Sequence, residues 1–259
     1  MTNLLKLLII DLKGMMNKLH KIFNQKGYFI QKNVFSEEFI NSLINEINKI
    51  ENANFYYDSY KKLRRIEKLY DKGKYLKDLN NLILSKLLDI FNKEFLIFKD
   101  KFNAKPPGGK GFFPHFDGIF EFQDENNKIR KGWYEYGNFF VNVLVALDDC
   151  TEENGTIEIA NRFDKNDFAY LIDFTKKNGT PELNSISVKK CSFEKIVLKK
   201  GDVVFFSNIC PHKSEKNTSN NNRRTLYYTY LSKDFGYQYE KYFHDKELSR
   251  NKTSKSLDD

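Results

Sequence analysis

The sequence predicts a mainly β fold with α-helices at its flanks. One observation is the run 139–147, where Phe139, Val141, Val143, Val145 and Leu147 alternate with Phe140, Asn142, Leu144 and Ala146. That period of two is the signature of a strand. A second is the pair of later runs, 202–206 and 224–231, dense in β-branched and aromatic residues. A third is the contrast with the residues before 92, whose apolar positions recur three and four apart, as on a helix.

In chain order, residues 1–15 read as an N-terminal helical extension. Their apolar stretch, 4–12, is too short to span a bilayer, and no small-residue cleavage site follows it. Residues 17–27 read as a helix stopped by Gly27, and Tyr28, Phe29 and Ile30 as a short strand. Ser36 is placed to cap the next helix, with Glu37 and Glu38 in its first turn and Phe39, Leu43, Ile47 and Ile50 along one face. Residues 52–74 are charged and aromatic without period; they read either as a lid or loop near a site or as a solvated connection. Asp78 is the expected cap of a further helix, with Leu79, Leu82, Ile83, Leu87, Ile90 and Phe91 as its stripe.

From residue 95 the period shifts towards strands. Residues 98–104 lead into a turn at Pro106, Pro107, Gly108 and Gly109. Residues 119–136 form a polar insertion carrying the only tryptophan, Trp133. Asn142 is the lone polar residue in its strand, and is either a pocket group or an outward-facing one. Residues 148–155 make a turn, 156–160 a strand, and 163–187 a polar, irregular surface. A strand and tight turn over 196–202 lead into the strand before His212, and 224–231 closes the fold. No internal repeat and no Gly/Ser linker is present, so 16–240 reads as one domain, followed by a polar tail, 241–259, expected to be partly disordered.

The chemistry concentrates at His115-Phe116-Asp117. In an extended strand residues i and i+2 share a face, so an imidazole and a carboxylate aim into one space. They make two thirds of the 2-His-1-carboxylate face that holds non-haem Fe(II). The chain has four histidines, His20, His115, His212 and His244, and His212 follows a strand a hundred residues on. Arg223 lies eleven residues beyond it. Each piece alone is commonplace; together they predict a metal centre of His115, Asp117 and His212. Cys210, two residues before His212, is either a further ligand or a small buried hydrophobe.

These segments resemble the phytanoyl-CoA dioxygenase family. The likeness lies in Lys-Pro-Pro-Gly-Gly-Lys-Gly-Phe-Phe-Pro-His-Phe-Asp at 105–117, the strand, acidic Asn-Gly turn and strand at 146–159, and the run 200–224 through His212 to Arg223 and Arg224. It spans residues 23–240. It implies an Fe(II)- and 2-oxoglutarate-dependent oxygenase, consuming O2, on a double-stranded β-helix or jelly-roll barrel, cupin-like in architecture. Arginine suits the distal carboxylate of 2-oxoglutarate because its planar fork stays charged and makes two hydrogen bonds. Neighbours on a strand face opposite ways, so only one of Arg223 and Arg224 enters the barrel, and the family spacing selects Arg223. Ser214 is expected to assist it, with Asn103 and Lys105 as further co-substrate candidates. Asn142 and Trp133 are the substrate candidates, since the segment after the first two ligands often folds over the barrel mouth. An intact Asp117 favours hydroxylation over halogenation. Two rivals stay open: a cupin-like metal-dependent enzyme that does not use 2-oxoglutarate, and a non-catalytic jelly-roll binding module.

Composition limits the remaining classes. The chain has 259 residues, 40% hydrophobic and 30% charged, as in an ordinary globular domain. Its net charge of +8 comes from scattered lysines amid abundant Asn, Ile, Phe and Tyr, so it does not point to nucleic acid. No run is long enough for a membrane helix, and a small-molecule substrate is expected. The three cysteines, Cys150, Cys191 and Cys210, have no paired spacing and read as free thiols in a reducing, cytoplasmic setting.

Overall fold

The computed structural model describes residues 3–118, 122–123, 126–161, 174–177 and 180–252. Its strands are β1 (Tyr28–Gln31), β2 (Asn54–Tyr57), β3 (Leu63–Glu67), β4 (Phe95–Lys105), β5 (Phe112–His115), β6 (Phe122–Gln123), β7 (Ile129–Arg130) and β8 (Phe140–Ala146). There follow β9 (Ile157–Ala160), β10 (Phe174–Lys177), β11 (Thr180–Leu183), β12 (Phe193–Lys195), β13 (Val203–Ser207), β14 (His212–Ser214) and β15 (Arg223–Ser232). The helices are α1 (Asn3–Lys26), α2 (Glu37–Ile47), α3 (Lys74–Phe91), α4 (Ser185–Lys189) and α5 (Tyr239–Lys252).

Two antiparallel sheets form the walls of the barrel. The larger has the order β1-β13-β8-β15-β4-β3-β2 and the smaller β12-β9-β14-β5. The alternation of 139–147 sorts side chains between two cores. Leu144, Ala146, Val204 and Phe206 of the large sheet meet Ile157 and Ile159 of the small one inside the barrel. Val141, Val143, Val145, Val203 and Phe205 face the other way, into a second core shared with α1, α2, α3 and α5. The expected fold class is therefore the observed one.

Local capping explains where two helices begin. Ser36 Oγ accepts from Phe39 N at 3.2 Å, as its position before Glu37 and Glu38 predicts, and Ile40, Leu43 and Ile47 are buried. Helix α3 instead starts at Lys74, ahead of the expected cap Asp78. Its first turn is satisfied across space, by the Glu46 carboxylate of α2, which accepts from Tyr75 N at 3.1 Å and Leu76 N at 2.8 Å. The expected stripe is kept at Leu79, Ile83, Leu87, Ile90 and Phe91, all buried; Leu76 extends it by one turn, and Leu82 falls outside it at 48% exposed.

Four further expectations are revised. Helix α1 begins at Asn3 and runs unbroken through the boundary expected near residue 16, until Gly27, at φ 87°, ends it. Residues 52–74 supply the β2–β3 hairpin, which extends the edge of the large sheet beside β4. In 163–187 the described residues form the β10–β11 hairpin and α4, capped by Asn184; the others lie outside the described residues. The polar tail begins instead as α5, because Tyr239, Tyr242 and Phe243 have an apolar face to fill and are buried in the helix-side core. Residues 253–259 of that tail lie outside the described residues. No helix among the described residues is long and apolar enough to cross a membrane.

Candidate active site

Strands β14 and β5 are neighbours, and their register sets His212 directly opposite His115 with ring centroids 4.2 Å apart. Asp117 joins them by a route the sequence pattern did not show. β5 ends at His115, and Asp117 lies in the turn that follows, so a bend rather than strand alternation brings the carboxylate round. Its N–H donates to Asn208 O at 3.1 Å. Gly118 completes the turn at φ 82°, with the Trp133 ring where a Cβ would stand. The ligating atoms of His115, Asp117 and His212 all lie within 4.8 Å of one another.

The state of these groups suits a divalent cation. His115 Nδ1 faces Phe113 O at 2.7 Å and His212 Nδ1 faces Cys210 O at 3.1 Å. A carbonyl only accepts, so each Nδ1 carries the proton and each Nε2 presents its lone pair to the centre. Burial pushes His115 down to about 3, helped by His212 beside it, and burial lowers His212 too, so both rings are neutral ligands. Burial alone would raise Asp117, but nearby positive charge, which rests on Lys99 and Lys101 once His212 and His115 are neutral, outweighs it and holds the carboxyl ionised, well below the usual range.

Asn142 holds the Asp117 carboxylate. Its Nδ2 donates to Asp117 Oδ2 at 2.8 Å, while its Oδ1 accepts from Thr229 Oγ1 at 2.7 Å. β8 and β15 pair Asn142 with Thr229 in register, so the large sheet holds the carboxylate presented by the turn. The other substrate candidate, Trp133, is 2% exposed and packs on Phe98, Phe140 and Tyr242.

Further along the same inner face lies a strongly cationic end. Arg223 is 3% exposed; it donates to Thr225 Oγ1 at 3.1 Å and Gly155 O at 3.3 Å, and its Nε has no partner. Asn103 Oδ1 is likewise buried without a partner. Both line a pocket with Lys105, Arg64, Arg65, Tyr56 and Phe112. Lys105 Nζ donates to Gly155 O at 3.0 Å, Ser214 Oγ at 2.8 Å and Glu215 O at 2.5 Å, so it ties β4 to the strand of the second histidine. Burial, with Arg223 and Arg64 close by, pushes this lysine down to about 6. Arg224 faces away and makes a two-pronged pair with Asp148 at 2.7 and 2.8 Å. Gly155 sits where the cations converge, and its φ of 71° and the 2.2 Å from a would-be Cβ to Glu215 O leave no room for a side chain.

The phytanoyl-CoA dioxygenase family model matches residues 23–225. The chain belongs to the phytanoyl-CoA dioxygenase family. Among curated members of known name, it is 27% identical over 191 residues to a 2-aminoethylphosphonate dioxygenase from the uncultured bacterium HF130_AEPn_1, covering 71% of this chain and 64% of that one. It is 30% identical over 154 residues to a methylphosphonate hydroxylase of Gimesia maris, covering 60% and 52%. The chain thus spans between half and two thirds of these relatives' lengths. Among solved structures, the epimerase SnoN in complex with Fe3+, alpha ketoglutarate and nogalamycin RO superposes with a TM-score of 0.63 at 14% identity, covering 84% of both chains. EctD from S. alaskensis in its apoform gives 0.63 at 16%, covering 84% of this chain and 77% of that one. At such identity these two establish the shared fold.

For this phytanoyl-CoA dioxygenase family member, the donor set fits Fe(II): two neutral imidazoles and one ionised carboxylate, with the carboxylate held from behind. The cationic end fits a dicarboxylic keto acid, because the buried Arg223 Nε is a donor without a partner and Lys105 stands beside it in the same pocket. Thr229, Asn208 and Gly155 were missed by sequence reasoning. Only Gly155 had a local signal, its Asn-Gly turn; Thr229 and Asn208 become visible once strand register is known.

Proposed function

We propose that the chain is an Fe(II)- and 2-oxoglutarate-dependent dioxygenase that hydroxylates a C–H bond of a small molecule. The observation that carries this reading is the pairing, on one barrel interior, of the His115–Asp117–His212 cluster with the buried Arg223 guanidinium. Bound Fe(II) and 2-oxoglutarate together would supply O2 activation, one oxygen atom leaving in succinate as CO2 is lost and the other entering the product as hydroxyl. The protein's part is to hold and orient. His115 and His212 give their Nε2 lone pairs, and Asn142 fixes the rotation of Asp117. Arg223 receives the distal carboxylate of the keto acid, with Asn103 beside it. Ser214 and Lys105 act one step back, since each already bonds the other. Phe206 packs edge-on against His212 at 5.2 Å and shields it from water. The three free thiols suit a reducing, cytoplasmic setting.

The test is anaerobic loading with Fe(II) and 2-oxoglutarate, admission of O2, and measurement of succinate. The wild type is expected to release succinate, and His212→Ala to release none above background. Equal succinate from His212→Ala would overturn the assignment. The substrate screen begins with small organic acids, phosphonates among them, because the two curated relatives are named for phosphonates.

A further inference from the structure

The inner face of β4 carries a row of cations. Alternation places Lys99, Lys101, Asn103 and Lys105 on that face, and sheet register fixes what each stands beside. Lys99 aligns with Thr229 and Asn142, the pair that holds Asp117. Lys105 aligns with Arg223. Lys101 falls between, aligned with Tyr227 and Leu144. Tyr227 stands in the electrostatic reach of both Arg223 and Asp117, so Lys101 occupies the stretch between the co-substrate anchor and the metal cluster.

Lys101 has no assigned work. Its Nζ lies over the Tyr227 ring, 4.7 Å from the centroid, and it makes no hydrogen bond or ion pair among the described residues. The acid nearest in register, Glu67, is committed to Lys246, with both carboxylate oxygens 2.6 Å from Nζ. The two carboxylates of 2-oxoglutarate have Arg223 and the metal as partners. An ammonium held inside a barrel without a bonded anion carries a desolvation penalty that an oxyanion beside it would offset. Burial and the neighbouring Lys99 push Lys101 down to about 7, the same imbalance seen from the proton's side.

We propose that the substrate is a small organic anion whose head-group oxyanion is bound by Lys101. This rests on the dioxygenase reading above and goes further by naming the charge of the substrate and the residue that reads it. The shared chemistry is an oxyanion on a short carbon chain, carried by a phosphonate or by a carboxylate.

The test uses the anaerobic complex of the full chain with Fe(II) and 2-oxoglutarate, followed by its visible charge-transfer absorption. Methylphosphonate and acetate are the anionic probes, and dimethyl methylphosphonate is the neutral control. In the wild type at least one anion is expected to perturb the band saturably while the neutral ester does not, and the tighter anion identifies the head group. Lys101→Met keeps length without charge and is expected to weaken that anion about ten- to a hundredfold, as loss of a charge-assisted bond implies, with 2-oxoglutarate affinity kept within about threefold. Lys101→Arg is expected to restore most of the binding. Unchanged anion binding in Lys101→Met, equal binding of the neutral ester, or no anion binding in the wild type would each overturn the proposal. So would a loss in Lys101→Met confined to 2-oxoglutarate, which would make Lys101 a co-substrate residue. Absence of the band in the wild type would instead defeat the dioxygenase reading itself.

Discussion

At the scale of single residues the site depends on side chains that touch no ligand. Asn142 bridges Asp117 and Thr229, so its loss frees the carboxylate to rotate. Asn142→Ala is expected to weaken Fe(II) binding about 10- to 100-fold, the usual effect of removing a group that orients a metal ligand. Thr229→Val keeps the shape and removes only the donor to Asn142, so its effect should be smaller; calorimetric titration with Fe(II) under argon compares the two. The neighbouring arginines separate as cleanly. Arg223 faces the barrel interior and Arg224 pairs with Asp148. Arg223→Ala is expected to raise the apparent KM for 2-oxoglutarate roughly ten- to several-hundred-fold, and Arg224→Ala less than about threefold, both read by succinate release. A large effect confined to Arg224→Ala would refute the assignment.

At the scale of elements, the edge hairpin and the last helix stabilise each other. Glu67 of β3 is 1% exposed and meets Lys246 of α5, while Tyr239 of α5 donates to Asp100 of β4 at 2.7 Å. Asp100 also accepts from Leu69 N at 2.6 Å and Tyr70 N at 2.8 Å, so one buried carboxyl holds the chain leaving β3 against α5. Burial would raise Glu67, but Lys246 and Arg65 outweigh it and bring it down to about 2. A carboxyl lowered on folding stabilises above its unfolded pKa of 4.5, and that contribution is lost as pH falls through about 2. Glu67→Gln should therefore flatten the fall of urea midpoint with acid between about pH 5 and pH 3. A slope equal to the wild type's would show that the pair does not contribute. Phe243→Ala empties a buried aromatic site against Tyr239 and Tyr242 and is expected to cost about 3–5 kcal/mol in the same assay.

At the scale of the whole molecule, the His115–Asp117–His212 cluster ties the two walls together. His115 and His212 come from the small sheet, while Asp117 is held by Asn142 of the large one. Fe(II) at a hundred times its Kd should therefore add about 2.7 kcal/mol to stability, seen as a rise in Tm that His212→Ala abolishes. Much of this was legible in the sequence, because strand alternation and the His-x-Asp spacing are local patterns. The wall containing Asn142 and the opposed faces of Arg223 and Arg224 followed from period two alone. Glu46 capping α3, Thr229 behind Asn142 and the helical tail did not, since each depends on a partner far away in the chain. Asp117 reached its expected place by an unexpected bend, which alternation cannot encode.

The seat of Trp133 gives the protein an optical reporter. It is the only tryptophan in the chain, and its indole lies against Gly118, the residue after Asp117. Light absorbed there is emitted within reach of the cluster. A cation with a partly filled d shell can drain that emission, and Zn(II), with its closed shell, cannot. Titrating the protein with Fe(II) and then with Zn(II) while watching one fluorophore would therefore distinguish a filled centre from a merely tightened fold, without label, substrate or turnover.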